Sequence, residues 1–147
     1  MKIAEVLERK GSRVVTVWTT RPLRDVVAIF DERKIASVVV TDPDDAPRGI
    51  VTDRAVLHAL ALRGAAALNE PVTAAMQVPP PICQAQDPIS KVLRRMTDDR
   101  VRHVVVMSQG RMVGLVSIGD LVKIKLDDAD IEGRVLRERA LGQMAFE

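Results

Sequence analysis

The chain is poor in the side chains that most enzyme chemistry uses. Its 147 residues include two histidines and one cysteine, Cys83, and no tyrosine. A lone thiol cannot build an internal disulfide framework and fits a reducing cytoplasm, the location expected. No Cys/His spacing suits zinc, and there is no H-E-x-x-H, G-x-S-x-G or G-x-x-x-x-G-K-[ST] segment. With so little material for nucleophilic or metal catalysis, the chain reads as a non-enzyme. Aromatics are Trp18, Phe30 and Phe146 alone, too few for the stacking platforms of single-strand binders. The formal net charge is only +2. Acidic and basic residues are interleaved (DERK, DDRVR), without the clustered patch of a nucleic-acid binder. No apolar run reaches the ~18 residues of a membrane span, and the charged, amphipathic start MKIAEVLERKG lacks the apolar stretch of a secretory signal. No nucleic acid, membrane or leader is therefore expected. What remains is 47% hydrophobic and 29% charged, enough for one domain or two small units sharing a core.

The informative feature is an internal repeat. Residues 49–54 read GIVTDR and residues 114–120 read GLVSIGD, each after a Val-rich segment, SVVVT at 37–41 and HVVVM at 103–107. A shift of 66 places Pro22 on Pro88, Leu23 on Ile89, Val26 on Val92, Val27 on Leu93 and Phe30 on Met96. Both sets have the i, i+3, i+4, i+7 spacing of one apolar helical face. The offset drops to 65 after the strand, because the loop DPDDAPR is one residue longer than SQGRMV. Hairpin loops absorb such insertions at least cost. At the position of Asp120 in the second copy, the first has Ala55.

The pattern predicts a leading helix at 2–10 and an extended stretch at 14–18. The first copy then has a helix at 22–33, paired strands from 36 to 51 and a helix at 53–63 that stops near Gly64. After a connector, the second copy repeats the order, with Asp87 expected to cap and Pro88 to open its first helix. Its strands lie near 102–107 and 111–116, and a helix begins near 118. The charged last segment reads as a separate appended helix, with Ile131, Val135 and Leu136 as a thin apolar edge. The fold class is mixed α/β (α+β). Its expected divisions are a leading helix (1–11), repeat one (12–68), repeat two (69–126, including the connector 69–81) and a C-terminal helix (127–147).

Two βαββα units, each closing on Gly-hydrophobic-x-Ser/Thr, the second completed by Asp120, resemble a tandem pair of cystathionine-β-synthase (CBS) domains, a Bateman module. The chain is most similar to the small stand-alone two-CBS proteins of bacteria. MTDDRVRHVVV (96–106) and GRMVGLVSIGDLVK (110–123) match their second repeat, and GIVTDR their first. The resemblance implies two copies packed with pseudo-two-fold symmetry and two related clefts. It also implies a regulatory adenosine-nucleotide ligand: AMP foremost, with NAD(H) or ATP as alternatives. A homodimer built on apolar helix faces and an unidentified effector protein follow from the same resemblance.

The spacing of Ser117 and Asp120 fits two readings that can both hold. One is a capping box, with Ser117 as N-cap and the carboxylate reaching back to a backbone N–H. The other is a ligand site, in which the helix N-terminus and the hydroxyl suit a phosphate and the carboxylate suits a ribose diol. In the first copy Thr52 keeps the hydroxyl, but Ala55 can accept nothing, so that cleft is expected to be weak, empty or devoted to another ligand. For the adenine end, the resemblance implies Ile82, Cys83, Arg102, His103 and Val104 beside Ser117 and Asp120. It implies Val17, Ala36 and Ser37 beside Thr52. Arg102 and His103 also read as ordinary edge charges, and Ile82 and Val104 as plain core. A ligand-free interaction scaffold with vestigial clefts is the competing function.

Overall fold

The computed structural model describes residues 1–145. Phe146 and Glu147, the last two positions of the expected C-terminal helix, lie outside the described residues. Helix α1 (Ile3–Lys10) leads. The first copy follows as β1 (Thr16–Trp18), α2 (Leu23–Arg33), β2 (Ser37–Thr41), β3 (Pro47–Thr52) and α3 (Asp53–Arg63). Two 3-10 turns (Gly64–Asn69 and Val72–Ala74) lead to the second copy. It comprises β4 (Ile82–Gln84), α4 (Ile89–Asp99), β5 (His103–Ser108), β6 (Arg111–Ser117) and α5 (Ile118–Ala145). Among the described residues, no helix is long and apolar enough to cross a membrane.

Each copy forms a three-stranded sheet whose middle strand runs parallel to the first and antiparallel to the last. The repeat holds at the level of register. Thr16 pairs with Val39 as Ile82 pairs with Val105, and both sheets shift register at the same place, Val40/Thr41 and Val106/Met107. Helices α2 and α4 both end on a non-glycine residue in the left-handed region, Lys34 (φ 56°) and Arg100 (φ 55°). Such a conformation is uncommon for these residue types, so its recurrence at one repeat position reflects shared geometry.

Two sequence expectations are corrected. Asp87 does not cap α4; Pro88 occupies that position, and the Asp87 carboxylate instead accepts the Gln84 N–H at 2.9 Å, closing the turn before the helix. The C-terminal segment is not a separate element either. Nothing between 118 and 145 breaks the backbone ladder, so α5 is one helix of 28 residues, about 42 Å long at 1.5 Å per residue.

The two copies are joined by an exchange. Helix α1 precedes the first copy but packs on the second. Ile3, Val6 and Leu7 are buried in one cluster with Cys83, Ile89, Met96, Val106 and Leu121. The connector precedes the second copy but packs on the first, where Ala67 and Val72 join Leu23, Val26, Val38 and Val51. Backbone bonds repeat the exchange. Ile3 N–H donates to Asp87 O and Ile89 N–H to Met1 O; Val72 N–H donates to Arg21 O and Leu23 N–H to Glu70 O. Units of some 60 residues bury too little surface to be robust alone, and here each is completed by the segment leading into the other. Strand alternation turns Val39 and Val105 to the faces opposite these clusters. Both are fully buried there as well.

The exchange explains the glycine that opens each signature. A Cβ at Gly114 would stand 2.6 Å from Leu7 Cδ2, and one at Gly49 would stand 2.8 Å from Met76 Sδ and 2.9 Å from Gln77 O. Both glycines therefore admit the exchanged segment against an edge strand. At Gly49 the obstacle includes a backbone oxygen belonging to the Ile50–Gln77 bridge, whereas Leu7 meets Gly114 only with its side chain. Gly49→Ala is expected to cost about 1–3 kcal/mol of stability, an overpacking penalty, and Gly114→Ala less. Urea unfolding midpoints of the two variants test this order.

Candidate functional site

The signature ends place two hydroxyls at helix starts. Ser117 closes β6 and caps α5: Asp120 N–H donates to Ser117 Oγ at 3.1 Å, and Ser117 N–H donates to Asp120 Oδ2 at 2.8 Å. This reciprocal pair satisfies two N–H groups that a helix start leaves open. In the first copy Ala55 N–H donates to Thr52 Oγ1 at 3.2 Å, but nothing answers from Ala55. The Asp53 carboxylate turns instead to the Arg54 N–H, at 2.8 Å. Both helix starts are tied to the strand of their own copy, Asp53 N–H to Ala36 O and Ile118 N–H to Arg102 O.

Asp120 has a further partner, Lys10. Its ammonium donates to Asp120 Oδ2 at 2.7 Å and to Leu115 O at 2.8 Å. The repeat explains the second bond. Ile50 is the equivalent of Leu115, and its carbonyl accepts the backbone N–H of Gln77; in the second copy the Lys10 side chain fills that role and reaches the carboxylate as well. Burial opposes ionisation of Asp120. Hydrogen bonds from Lys10 and Ser117, with the Lys10 charge, outweigh it and hold the carboxyl below its ordinary range.

Two clefts lie across the pseudo-dyad, and each takes its parts from both copies. The Ser117/Asp120 cleft, about 350 Å³, is closed on the other side by Val15, Ile35, Ala36 and Ser37 of the first copy, with Lys10, Arg13 and Lys34 around it. The Thr52/Ala55 cleft, about 460 Å³, is closed by Arg100, Val101, Arg102 and His103 of the second, with Arg54 and His58 beside them. A neighbouring hollow contains Pro81 and Ile82 and shares Gln77 and Val101 with this second cleft. Equivalent residues occupy equivalent places: Val15 and Pro81, Ile35 and Val101, Ala36 and Arg102 are all 66 apart. Each volume falls in the range of small-molecule sites.

The structure therefore redistributes the residues expected at each site. Ser117, Asp120 and His103 are together, and His103 lines both clefts. Arg102 stands with Thr52 and not with Asp120, while Ala36 and Ser37 stand with Asp120 and not with Thr52. Ile82 lines the proline-walled hollow. Cys83, Val104 and Val17 do not line these clefts; they are core residues at 1%, 3% and 5% exposure. Burial pushes the Cys83 thiol up to about 12, helped by Asp87 and opposed by Arg95, so it is an inert apolar group. Sequence reasoning missed Lys10, Arg13 and Lys34. None lies in the signature, and Lys10 meets Asp120 across a separation of 110 residues. Among the described residues, no group of His, Cys, Asp and Glu is arranged to hold a metal ion.

Comparison with known proteins agrees with this architecture. The family model of the CBS domain matches twice, at residues 3–62 and 72–127. The first match begins inside α1. The mitochondrial CBS domain-containing protein CBSX3 of Arabidopsis thaliana is 31% identical over 130 residues, covering 82% of this chain. The match takes in 63% of that relative's own length. A CBS-domain-containing protein of Agrobacterium tumefaciens superposes with a TM-score of 0.82 at 38% identity, over 84% of this chain and 92% of that one. A CBS domain protein of Pyrobaculum aerophilum, solved in complex with AMP, superposes with a TM-score of 0.73 at 27% identity, over 82% and 89%.

His103 is the titratable side chain shared by the two clefts. Its Nδ1 is buried and unpartnered among the described residues. Burial lowers its pKa, and the nearby carboxylates of Asp53 and Asp120 only partly offset this. A histidine with a depressed folded pKa binds fewer protons folded than unfolded, so its contribution to stability is present above the unfolded value of about 6.5. That contribution is lost as pH falls from there through the folded value. Stability is expected to decline as pH drops below about 6.5, and His103→Gln is expected to flatten the decline. Thermal unfolding midpoints of both proteins between neutral and mildly acidic pH check this.

Proposed function

We propose a function for this chain from one premise, that it belongs to the CBS domain family as a tandem pair. It is a regulatory module that binds an adenosine nucleotide, AMP first among the candidates, in the Ser117/Asp120 cleft. NAD(H) and ATP are the related ligands to compare. The observation that carries this reading is the disposition of Asp120. The bonds from Ser117 and Lys10 both fall on Oδ2, which leaves Oδ1 for the hydroxyls of a ribose. Ser117 accepts the Asp120 N–H through its oxygen, so its own hydrogen is free to donate to a phosphate. The start of α5 adds a positive dipole end, and Lys10, Arg13 and Lys34 add charge against the single carboxylate. Val15, Ile35 and Ala36 supply the apolar wall that a base requires. The AMP complex of the Pyrobaculum relative supports this class of ligand.

The Thr52/Ala55 cleft has the hydroxyl and the cations but no counterpart of Asp120, so a nucleotide would bind there more weakly. A ligand held between the copies regulates only if it fits one arrangement better than another. In this reading it biases the relative orientation of the two copies, within a homodimer, and so reports the energy or redox state of the cytoplasm to an effector protein. The competing reading is a ligand-free scaffold, favoured by the complete capping box, which accounts for Ser117 and Asp120 without a ligand.

Calorimetric titration of the chain with AMP, ATP and NADH separates the two. Saturable binding of one adenosine ligand per chain is expected. Asp120→Ala should weaken it about tenfold to more than a hundredfold, the effect of removing a hydrogen bond to a charged group worth about 1.5–3 kcal/mol. Ala55→Asp should strengthen binding in the other cleft. No heat and no thermal shift with any of the three would favour the scaffold.

A further inference from the structure

The last part of α5 stands apart from the body. Leu121 and Ile124 are buried and Asp128 is held by Arg9 at 3.5 Å. From Ala129 to Gly142, every described position except Gly133 is exposed. A free helical extension of this length is marginal in water, where helices depend on tertiary packing. Its sequence has an order that solvent exposure alone does not require. Asp127, Asp128, Asp130 and Glu132 fill its first part, and Arg134, Arg137 and Arg139, with Glu138, fill its second. Among the described residues, Asp130, Glu132, Arg137 and Arg139 have no ion-pair partner within the chain.

One face of the same segment carries a heptad seam. Val122, Leu126, Ala129, Gly133, Leu136 and Ala140 are spaced alternately by four and three, the period of helices that pair side by side. Leu126 and Leu136 are exposed at 60% and 64%. The opposite face, with Ile131 and Val135, is interrupted by Asp128 and Glu138 and makes a poorer seam. A Cβ at Gly133 would meet nothing within 4 Å, so the seam has an open notch at its centre.

We propose that this extension pairs antiparallel with the same extension of a second copy, the acidic half of each helix lying along the basic half of the other. In the register that seats Leu136 over the partner's notch at position 133, Ala129 faces the partner's Ala140. Asp130 then flanks the partner's Arg137, and Glu132 the partner's Arg139. Two-fold symmetry repeats every contact. A parallel pairing on the same seam would set Asp130 beside the partner's Lys125 and Glu132 beside the partner's Arg137, but would align the two helix dipoles unfavourably. The order of charge thus points to a second copy as the partner, and the helix dipoles to the antiparallel direction. The proposal deepens the preceding reading and rests on it only in requiring a homodimer.

Sedimentation velocity of the full chain over a dilution series at low salt is the test, with circular dichroism confirming helix content. The wild type should be a dimer. Asp130→Arg alone and Arg137→Asp alone should each weaken dimerisation about tenfold, since each converts two exposed ion pairs into like-charge contacts. The double variant D130R/R137D should restore the wild-type affinity, because the swapped charges meet again across the dyad. A double variant weaker than either single one overturns the antiparallel arrangement, because in a parallel pair both swapped residues face like charges. A dimer unaffected by Asp130→Arg overturns this surface and leaves the homodimer standing. A wild type that is monomeric at every concentration overturns both.

Discussion

The rest of the structure depends on an exchange of cover between two incomplete cores. Neither βαββα unit closes on itself. The second is closed by α1, which enters ahead of the first, and the first by the connector, which enters ahead of the second. The buried apolar side chains of these segments are worth about 1.5–3 kcal/mol each against exposure, so neither copy can lose its cover and remain intact. The chain is therefore one cooperative body despite its two-part sequence. The exchange also fixes the conspicuous glycines at 49 and 114. They sit where a borrowed segment passes too close to an edge strand to leave room for a Cβ, and the segment in turn shields that edge.

The same exchange brings cation chemistry to the site. Where the connector passes the first sheet, its backbone at Gln77 pairs with Ile50 in both directions. Where α1 passes the second, the helix has ended too early to do this, and the Lys10 side chain takes over the orphaned carbonyl of Leu115. One ammonium thus satisfies a strand edge and steadies the carboxylate at the start of α5. A small difference between the two covering segments produces a large difference between the two clefts. Asp120 in one is charged, oriented and half satisfied, while its counterpart in the other is a methyl group.

Much of this was legible in the sequence because it is local. The limits of α3, from Asp53 to Arg63, follow from a Thr cap and a Gly stop. The paired strands follow from valine runs flanking a turn, and the capping of α5 follows from Ser117 and Asp120 three residues apart. What stayed hidden is set by the relation between the copies. A repeat shift says which residues are equivalent but not which copy faces which cleft, so Ala36 and Ser37 were grouped with Thr52, and Arg102 with Asp120. Lys10 belongs to no motif, and its role depends on a helix crossing from one end of the chain to the other copy. Cys83 and Val104 illustrate the alternation of a strand: Ile82 and His103 line hollows while the next residue is core. The continuity of α5 was missed because a change in composition at residue 127 resembles a boundary, although nothing there disrupts backbone hydrogen bonding.

Pseudo-symmetry and its breaking together constrain how such a module can respond. Two clefts built from equivalent pieces would give a ligand no reason to prefer one side of the dyad. Replacing one carboxylate by Ala55 removes the equivalence at its most polar point. A ligand seated on Asp120 touches the start of α5, the Lys10 end of α1, and Ala36 and Ser37 of the opposite copy at once. Helix α1 is itself part of the second core, and its Arg9 holds Asp128 of α5 at 3.5 Å. On the proposed reading, a ligand that displaces Lys10 would act on both helices. The interiors on either side are close-packed and resist gradual deformation. On that proposed reading, the response is a small rigid adjustment of one copy against the other.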